Sequence, residues 1–154
     1  MKWIPGFDID RIQVLQNERE ELRPNASILI VTYDLAGKML WRLQELHLRV
    51  CIVDEAQWFS QGSKNMDRLP KINVNLMKIV YNMKRVILLS ALNCLARPAR
   101  FHSLARILRP DLIPNFYEFG YRYCDPRQSF DGIDFSNAGN LTELKQLLEK
   151  RLLT

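Results

Sequence analysis

No apolar run in this 154-residue chain comes near the ~18 residues that a membrane span needs. The opening MKWIPGFDID has no apolar h-region and is interrupted by Pro5 and Gly6, so it does not read as a secretory signal. Cysteine is scarce. Cys51, Cys94 and Cys124 are odd in number, widely spaced, and lack CxxC pairs or histidines at zinc spacing. They argue against a disulfide framework or a zinc site and fit a reduced intracellular compartment. The two histidines, His47 and His102, have no acid or nucleophile at useful spacing. Internal repeats and low-complexity segments are missing too.

What is present is ordinary for a globular protein: 47% hydrophobic and 25% charged residues, in a length that suits one domain with a real core. The net charge of +5 permits contact with nucleic acid without demanding it. The segment RPARFHSLARILR concentrates that charge in Arg97, Arg100, Arg106 and Arg109, and a solvated helix face explains it equally well.

Elements alternate along the chain. DRIQVLQ (10–16) reads as a strand, and NEREELRPNA must be a surface excursion. SILIVTY (27–33) is a second β-rich run, and Asp34 can cap a helix with Leu35, Met39, Leu43 and Leu46 at helical spacing. VCIVDE is a third strand and QGSKN (61–65) a loop. Pro70 can open a helix carrying Ile72, Leu76, Ile79, Val80 and Met83. RVILLSA (85–91) is a fourth strand. An Arg-rich helix follows, with Phe101, Leu104, Ile107 and Leu108 on one face, ended by Pro110 and Pro114. The aromatic stretch FYEFGYRYCD and a polar, Gly-containing loop lead to a last helix, NLTELKQLLEKRLL. Asn140 is its expected cap and Glu143 the reciprocal capping-box residue. This alternation implies an α/β fold, a parallel sheet with helices on both faces.

One junction carries chemistry. Val50, Cys51, Ile52 and Val53 are apolar without alternation, which reads as a strand buried on both faces. Two adjacent carboxylates, Asp54 and Glu55, then end it. Like charges at a strand tip are costly unless a cation or proton is shared, although a solvated loop start is the plain alternative. In parallel sheets ligands sit beyond the carboxyl ends of the strands. Asp54-Glu55 and Ser90 to Asn93 occupy such ends. A carboxylate there can hold Mg²⁺ through water while its neighbour orients an attacking water, as phosphoryl transfer requires.

At these residues the chain resembles the Swi/Snf-type helicase-like ATPases, in their annealing-helicase (HARP-like) branch. ILIVTYDLAGK resembles the strand before that family's DNA-facing helix. VCIVDEAQWF resembles its Walker B stretch, normally Asp-Glu-Ser-His, with Gln57 at the fourth position. RVILLSALNCLARP resembles its RxILLSGTPxxxRP motif. FYEFGYRYCD and SNAGNLTELKQLLE resemble two long segments distinctive of the branch. The resemblance covers most of the chain. It implies that residues 1–110 are the later part of a first RecA-like (P-loop NTPase) ATP-binding lobe. Residues 111–154 then form a lobe-end extension.

The resemblance also assigns roles. Asp54 would ligate Mg²⁺ through water, Glu55 would polarise the water that attacks the γ-phosphate, and Ser90 would remain from the coupling motif. Arg97 and Pro98 would set the entry to the next helix, a structural role more than a direct one. The three tryptophans suit core or partner packing, and Cys124 suits burial.

Two departures stand out. The phosphate-cradling Walker A loop is nowhere in these residues; the family places it upstream of a segment that Trp3-Ile4-Pro5 resembles, and the arginine fingers in a second lobe. Ala91-Leu92-Asn93 replaces Gly-Thr-Pro, removing a hydroxyl and a turn-shaping proline. The expectation is a piece of an ATP-dependent DNA translocase that rewinds DNA at stalled forks. Mg²⁺ and ATP would be cofactors of the intact protein and bind this chain alone only weakly. DNA junctions and fork proteins would be its partners, the nucleus its location, and no membrane would be involved. The alternative is a non-catalytic DNA- or protein-binding module derived from such a lobe.

Overall fold

The computed structural model describes residues 5–60, 71–91, 95–130 and 132–151. Within them the contacts gather into two units: the stretch through Leu48 with Lys71–Asn82, and the stretch from Arg49 with that from Met83.

In the first unit, β1 (Ile12–Val14) and β2 (Ile28–Ile30) pair in parallel, Gln13 opposite Leu29. The excursion between them folds around one buried amide. Gln13 donates from Nε2 to the Glu20 carboxylate at 3.1 Å and to the Glu21 carbonyl at 2.8 Å, while its Oε1 accepts from the Arg23 N–H at 2.9 Å. Satisfying both ends of the amide makes its burial tolerable. Glu20 also accepts from the Gln16 N–H, and that bond, more than any other, holds its carboxyl below the usual range.

The expected helix over 34–46 is two short helices, α1 (Tyr33–Lys38) and α2 (Leu40–Glu45). Thr32, not Asp34, is the cap: its hydroxyl accepts from the Leu35 N–H, and Asp34 sits in the first turn where its charge suits the helix dipole. The helices part at Met39, with φ −94° and ψ 17°. Just before this joint stands Gly37, a weak helix former whose carbonyl accepts from Asn75 on α3 (Lys71–Tyr81) at 3.0 Å, so a tertiary bond competes with the helix ladder. The expected apolar spacing still holds for Met39 and Leu43, which are buried; α1 and α2 pack on α3, whose Leu76, Ile79 and Val80 are buried. Leu46 is exposed. Pro70, the QGSKN loop and the side chain of Ile72 lie outside the described residues.

In the second unit, β3 (Val50–Val53) pairs in parallel with β4 (Arg85–Leu88), Ile52 opposite Ile87. The expectation that β3 is buried on both faces fails. Val53 is buried, but Val50, Ile52, Ile87 and Leu89 form an open face, Ile52 being 65% exposed. Nor is there one sheet with helices on both sides: the described strands make three two-stranded ladders, two parallel and one antiparallel. The alternation of strand and helix is as expected; a continuous sheet is not formed because no further described strand joins either parallel pair.

Beyond β4, α4 (Pro98–Leu108) begins with Pro98 at its first turn and packs on the 3₁₀ turn Ala56–Ser60. Its buried side is wider than the expected stripe and takes in His102, Ser103 and Ala105 as well as Phe101, Leu104 and Ile107. The aromatic stretch forms a helix, α5 (Phe116–Tyr123), capped by Asn115, whose side chain accepts from the Glu118 N–H at 3.1 Å. The polar loop after it contains a hairpin of β5 (Arg127–Ser129) and β6 (Gly132–Asp134). The chain closes with α6 (Leu141–Arg151), whose Leu144 and Leu148 are buried. No helix among the described residues is long and apolar enough to cross a membrane.

Candidate functional site

The parallel pairing of β3 and β4 fixes where the carboxylates go. The ladder runs past the strand ends: Leu89 N–H donates to the Val53 carbonyl and Ala56 N–H donates to the Leu89 carbonyl, both at 2.8 Å. The segments Asp54-Glu55 and Ser90-Ala91 therefore leave neighbouring strands at the same end. Glu55 takes a left-handed φ of 51°, unusual for a side chain this long, and this turns the chain sharply into the 3₁₀ turn. Buried Ala56 and Phe59 pin that turn, so the strain rests on packing.

A side-chain chain of hydrogen bonds joins the two strand ends. The Ser90 hydroxyl donates to Gln57 Oε1 at 2.6 Å, and Gln57 Nε2 donates to the Glu55 carboxylate. Asp54 accepts the Glu55 N–H at 3.0 Å. Both carboxylates are exposed. Glu55 and Ser90, singled out from sequence, are thus brought together, and the link between them is Gln57, which in the sequence stands out only as a difference at the fourth position of the Walker-B-like stretch. A polar residue two places after Glu55 and facing a strand-end serine was the available signal. Ala91 is described; Leu92 and Asn93 of the altered triplet lie outside the described residues, as do Trp3, Ile4 and Cys94.

The donor set suits a hard cation held mainly from elsewhere. Among the described residues no group of three or more His, Cys, Asp or Glu gathers, so a protein cage is not built here. Mg²⁺ characteristically takes one or two carboxylates and keeps waters and substrate phosphates. Asp54, exposed and oriented by its bond from the Glu55 backbone, fits that requirement.

The remaining residues of interest are structural. Pro98 is fully buried at the start of α4, and Arg97 precedes it as a cap without a side-chain hydrogen bond. Arg109 is tied to Asp111 by a two-point ion pair at 2.7 and 2.9 Å, which holds the Asp111 carboxyl below its usual range. Cys124 is wholly buried, and burial pushes its thiol up to about 11, which removes it as a nucleophile near neutral pH. The segments FYEFGYRYCD and NLTELKQLLE meet directly. Glu143 accepts from the Tyr123 hydroxyl at 2.8 Å, from Arg122 at 2.6 Å and from the Asn140 amide at 2.6 Å. The capping box expected of Asn140 and Glu143 is not made: the two meet through their side chains, the Asn140 amide donating to the Glu143 carboxylate, and not through the backbone N–H groups that a capping box satisfies. Gly120 faces the Phe135 ring so closely that a Cβ there would stand 2.6 Å from it.

No protein-family model matches the chain, and no solved structure matches it. Among curated proteins it is 34% identical over 152 residues to the SWI/SNF-related matrix-associated actin-dependent regulator of chromatin subfamily A-like protein 1 of Xenopus laevis, covering 99% of this chain and 15% of that protein. It is 31% identical over 156 residues to the DNA annealing helicase and endonuclease ZRANB3 of Bos taurus, covering 96% of this chain and 14% of the relative. The human ZRANB3 protein matches at 29% over the same length. The homologues of this chain are therefore the SWI/SNF-related annealing helicases, and it corresponds to about 15% of their length.

Proposed function

We propose that these residues are the later part of the first RecA-like lobe of an ATP-dependent DNA translocase that rewinds DNA in replication-fork repair, in the nucleus. The observation that carries this reading is the Ser90–Gln57–Glu55 hydrogen-bonded chain across the ends of β3 and β4. In the proposed motor Asp54 would hold Mg²⁺ through water, and the metal would neutralise charge on the nucleotide phosphates. Glu55 would orient the attacking water, and Gln57 holds the Glu55 carboxylate in place. Ser90 would report the state of that carboxylate through Gln57 to the segment after β4. Residues 1–110 belong to the lobe in this reading, and 111–154 extend it.

These 154 residues contain no phosphate loop, no lysine on the β/γ-phosphates and no arginine finger. Losing the finger alone costs about 10³-fold or more in rate. Hydrolysis by this chain alone is therefore not expected. A graft supplying the Walker A segment and second lobe of a relative tests the reading. In it, Glu55→Gln should bind Mg-ATP and fail to cleave it, while Asp54→Asn should also weaken Mg²⁺-dependent binding. Carboxylate variants that hydrolyse ATP like the parent graft would show a merely solvated strand end.

Ala91-Leu92-Asn93, in place of Gly-Thr-Pro, favours a second reading: a non-catalytic binding module. An inactive parent graft that regains DNA-stimulated hydrolysis when Gly-Thr-Pro is restored would support the second reading for the natural chain.

A further inference from the structure

Two serines of this chain follow an arginine within three residues: Ser103 after Arg100, and Ser129 after Arg127. The fold separates them. Ser103 lies on the buried side of α4 and is 5% exposed, so its hydroxyl is out of reach in the folded protein. Ser129 ends β5, whose three residues are all exposed, and its hydroxyl makes no hydrogen bond with any described residue. Phe130, the next residue, is wholly exposed. Ser129 stands opposite Gly132 in the β5–β6 hairpin, and among the described residues no third strand joins either edge. A two-stranded ladder is marginal by itself. β5 can therefore part from β6 and enter another protein's cleft in the extended form it already has.

Protein kinases select substrates by charge pattern around the acceptor hydroxyl. An extended segment offering an arginine, an unengaged hydroxyl and then an apolar ring suits a kinase with an acidic cleft beside an apolar pocket. We propose that Ser129 is a phosphorylation site for a kinase of this basic-directed class, and that its phosphate takes Arg127 from Asp125. In the transfer, Ser129 Oγ attacks the γ-phosphorus of the kinase's bound ATP. The bond from that phosphorus to the bridging oxygen breaks, ADP leaves, and the hydroxyl proton passes to the kinase's catalytic carboxylate. Residues two apart on a strand share a face, so the new phosphate stands beside Arg127. Arg127 is loosely held at present: its Nη2 is 3.6 Å from the Asp125 carboxylate, beyond hydrogen-bond range. A phosphate with a charge of about −1.5 to −2 and three acceptor oxygens is the stronger partner. None of these residues belongs to the strand-end carboxylate site, so the inference is independent of the motor reading.

The test incubates the full 154-residue chain with Mg-ATP and, separately, the catalytic subunit of cAMP-dependent protein kinase or the catalytic domain of protein kinase C. Intact mass counts the phosphates and peptide fragmentation places them. One phosphate should appear, on Ser129. Ser129→Ala should abolish it and Ser129→Thr should retain it. Arg127→Gln should lower kcat/KM for the protein substrate about tenfold, the value of one charge-assisted hydrogen bond. The altered side chains are exposed, and circular dichroism checks that the fold is kept. On the phosphorylated protein, phosphorus NMR against pH should give a second phosphate pKa below its ordinary value of about 6, rising toward it in Arg127→Gln. The site is overturned if neither kinase modifies Ser129, or if Ser129→Ala takes up phosphate as fast as the parent. An equal phosphate pKa in the parent and Arg127→Gln would overturn the exchange of Arg127 between Asp125 and the phosphate.

Discussion

Tyr123 and Glu143, twenty residues apart in sequence, share a 2.8 Å hydrogen bond that joins the aromatic helix α5 to the C-terminal helix α6. Tyr123 is 3% exposed, and burial, helped by the bond to Glu143, raises its hydroxyl to about 12. Arg122 and Asn140 converge on the same carboxylate. The aromatic segment FYEFGYRYCD and the segment NLTELKQLLE are thereby one structural joint.

Breaking that joint should cost measurable stability. We expect Tyr123→Phe to destabilise the second unit by about 1 kcal/mol, the usual net value of such a bond. Glu143→Ala, which strands a buried hydroxyl as well, should cost more, about 1–3 kcal/mol. Lys145→Ala, which removes only the exposed ion pair with Glu149, should change little. Urea unfolding monitored by tyrosine fluorescence compares the three.

Gly120 should be intolerant of any side chain. A Cβ at that position would meet Phe135 Cδ1 at 2.6 Å, and Phe135 is itself packed edge-on to Phe116, Tyr117 and Tyr121. Gly120→Ala should therefore cost about 1–3 kcal/mol. Adding Phe135→Leu should recover part of the loss, giving a double-mutant cycle that is clearly non-additive.

Stability should depend on pH through His102. Its Nε2 lies 2.9 Å from the Pro114 carbonyl, which can only accept, so Nε2 carries the proton, and buried Nδ1 has no partner. Burial lowers its pKa from 6.5, Arg106 adding to the effect and the Pro114 bond opposing it. The unfolded chain then binds the proton more readily than the folded one, so stability is full above the unfolded pKa of 6.5 and falls as the pH drops below it toward the folded value. The melting temperature should decrease between about pH 7.5 and about pH 5.5, and less so in His102→Phe. An equal decrease in both proteins would remove His102 as the cause.

The link through Gln57 should affect turnover and not nucleotide binding. In an active graft, Gln57→Ala should lower kcat about tenfold, equivalent to about 1.4 kcal/mol of lost positioning, with little change in the KM for ATP. Ser90→Ala should reduce stimulation by DNA more than basal hydrolysis. Identical kinetics for all three proteins would leave the chain of hydrogen bonds without a catalytic role.

The open face of the β3–β4 pair should make the isolated chain prone to associate. Ile52, 65% exposed, lies beside Ile87, 49% exposed, in the register of the ladder. Changing both to Thr keeps β-branching and removes apolar surface. Light scattering on heating should fall, with the cooperative unfolding transition retained.

The order of elements and the place of the carboxylates are legible along the chain. Alternating β-rich and helical runs located β1 to β4, α3, α4 and α6, because short-range periodicity and breakers act along the chain. The junction of Val53 with Asp54 was legible for the same reason. Tertiary structure decided the rest. Only packing showed that Thr32 caps α1, that Asn75 and Gly37 meet where the helix divides, and that Gln13 is a buried loop anchor. The aromatic segment 116–123 formed a helix against local β preference because Phe119 and Tyr123 gain burial on one side and Gly120 admits Phe135. Burial of the sheet faces was the largest misreading. Apolar residues without alternation indicate a strand suited to cover on both sides, but whether anything covers it depends on neighbours in space, and in these residues Ile52 and Ile87 have none on their outer face.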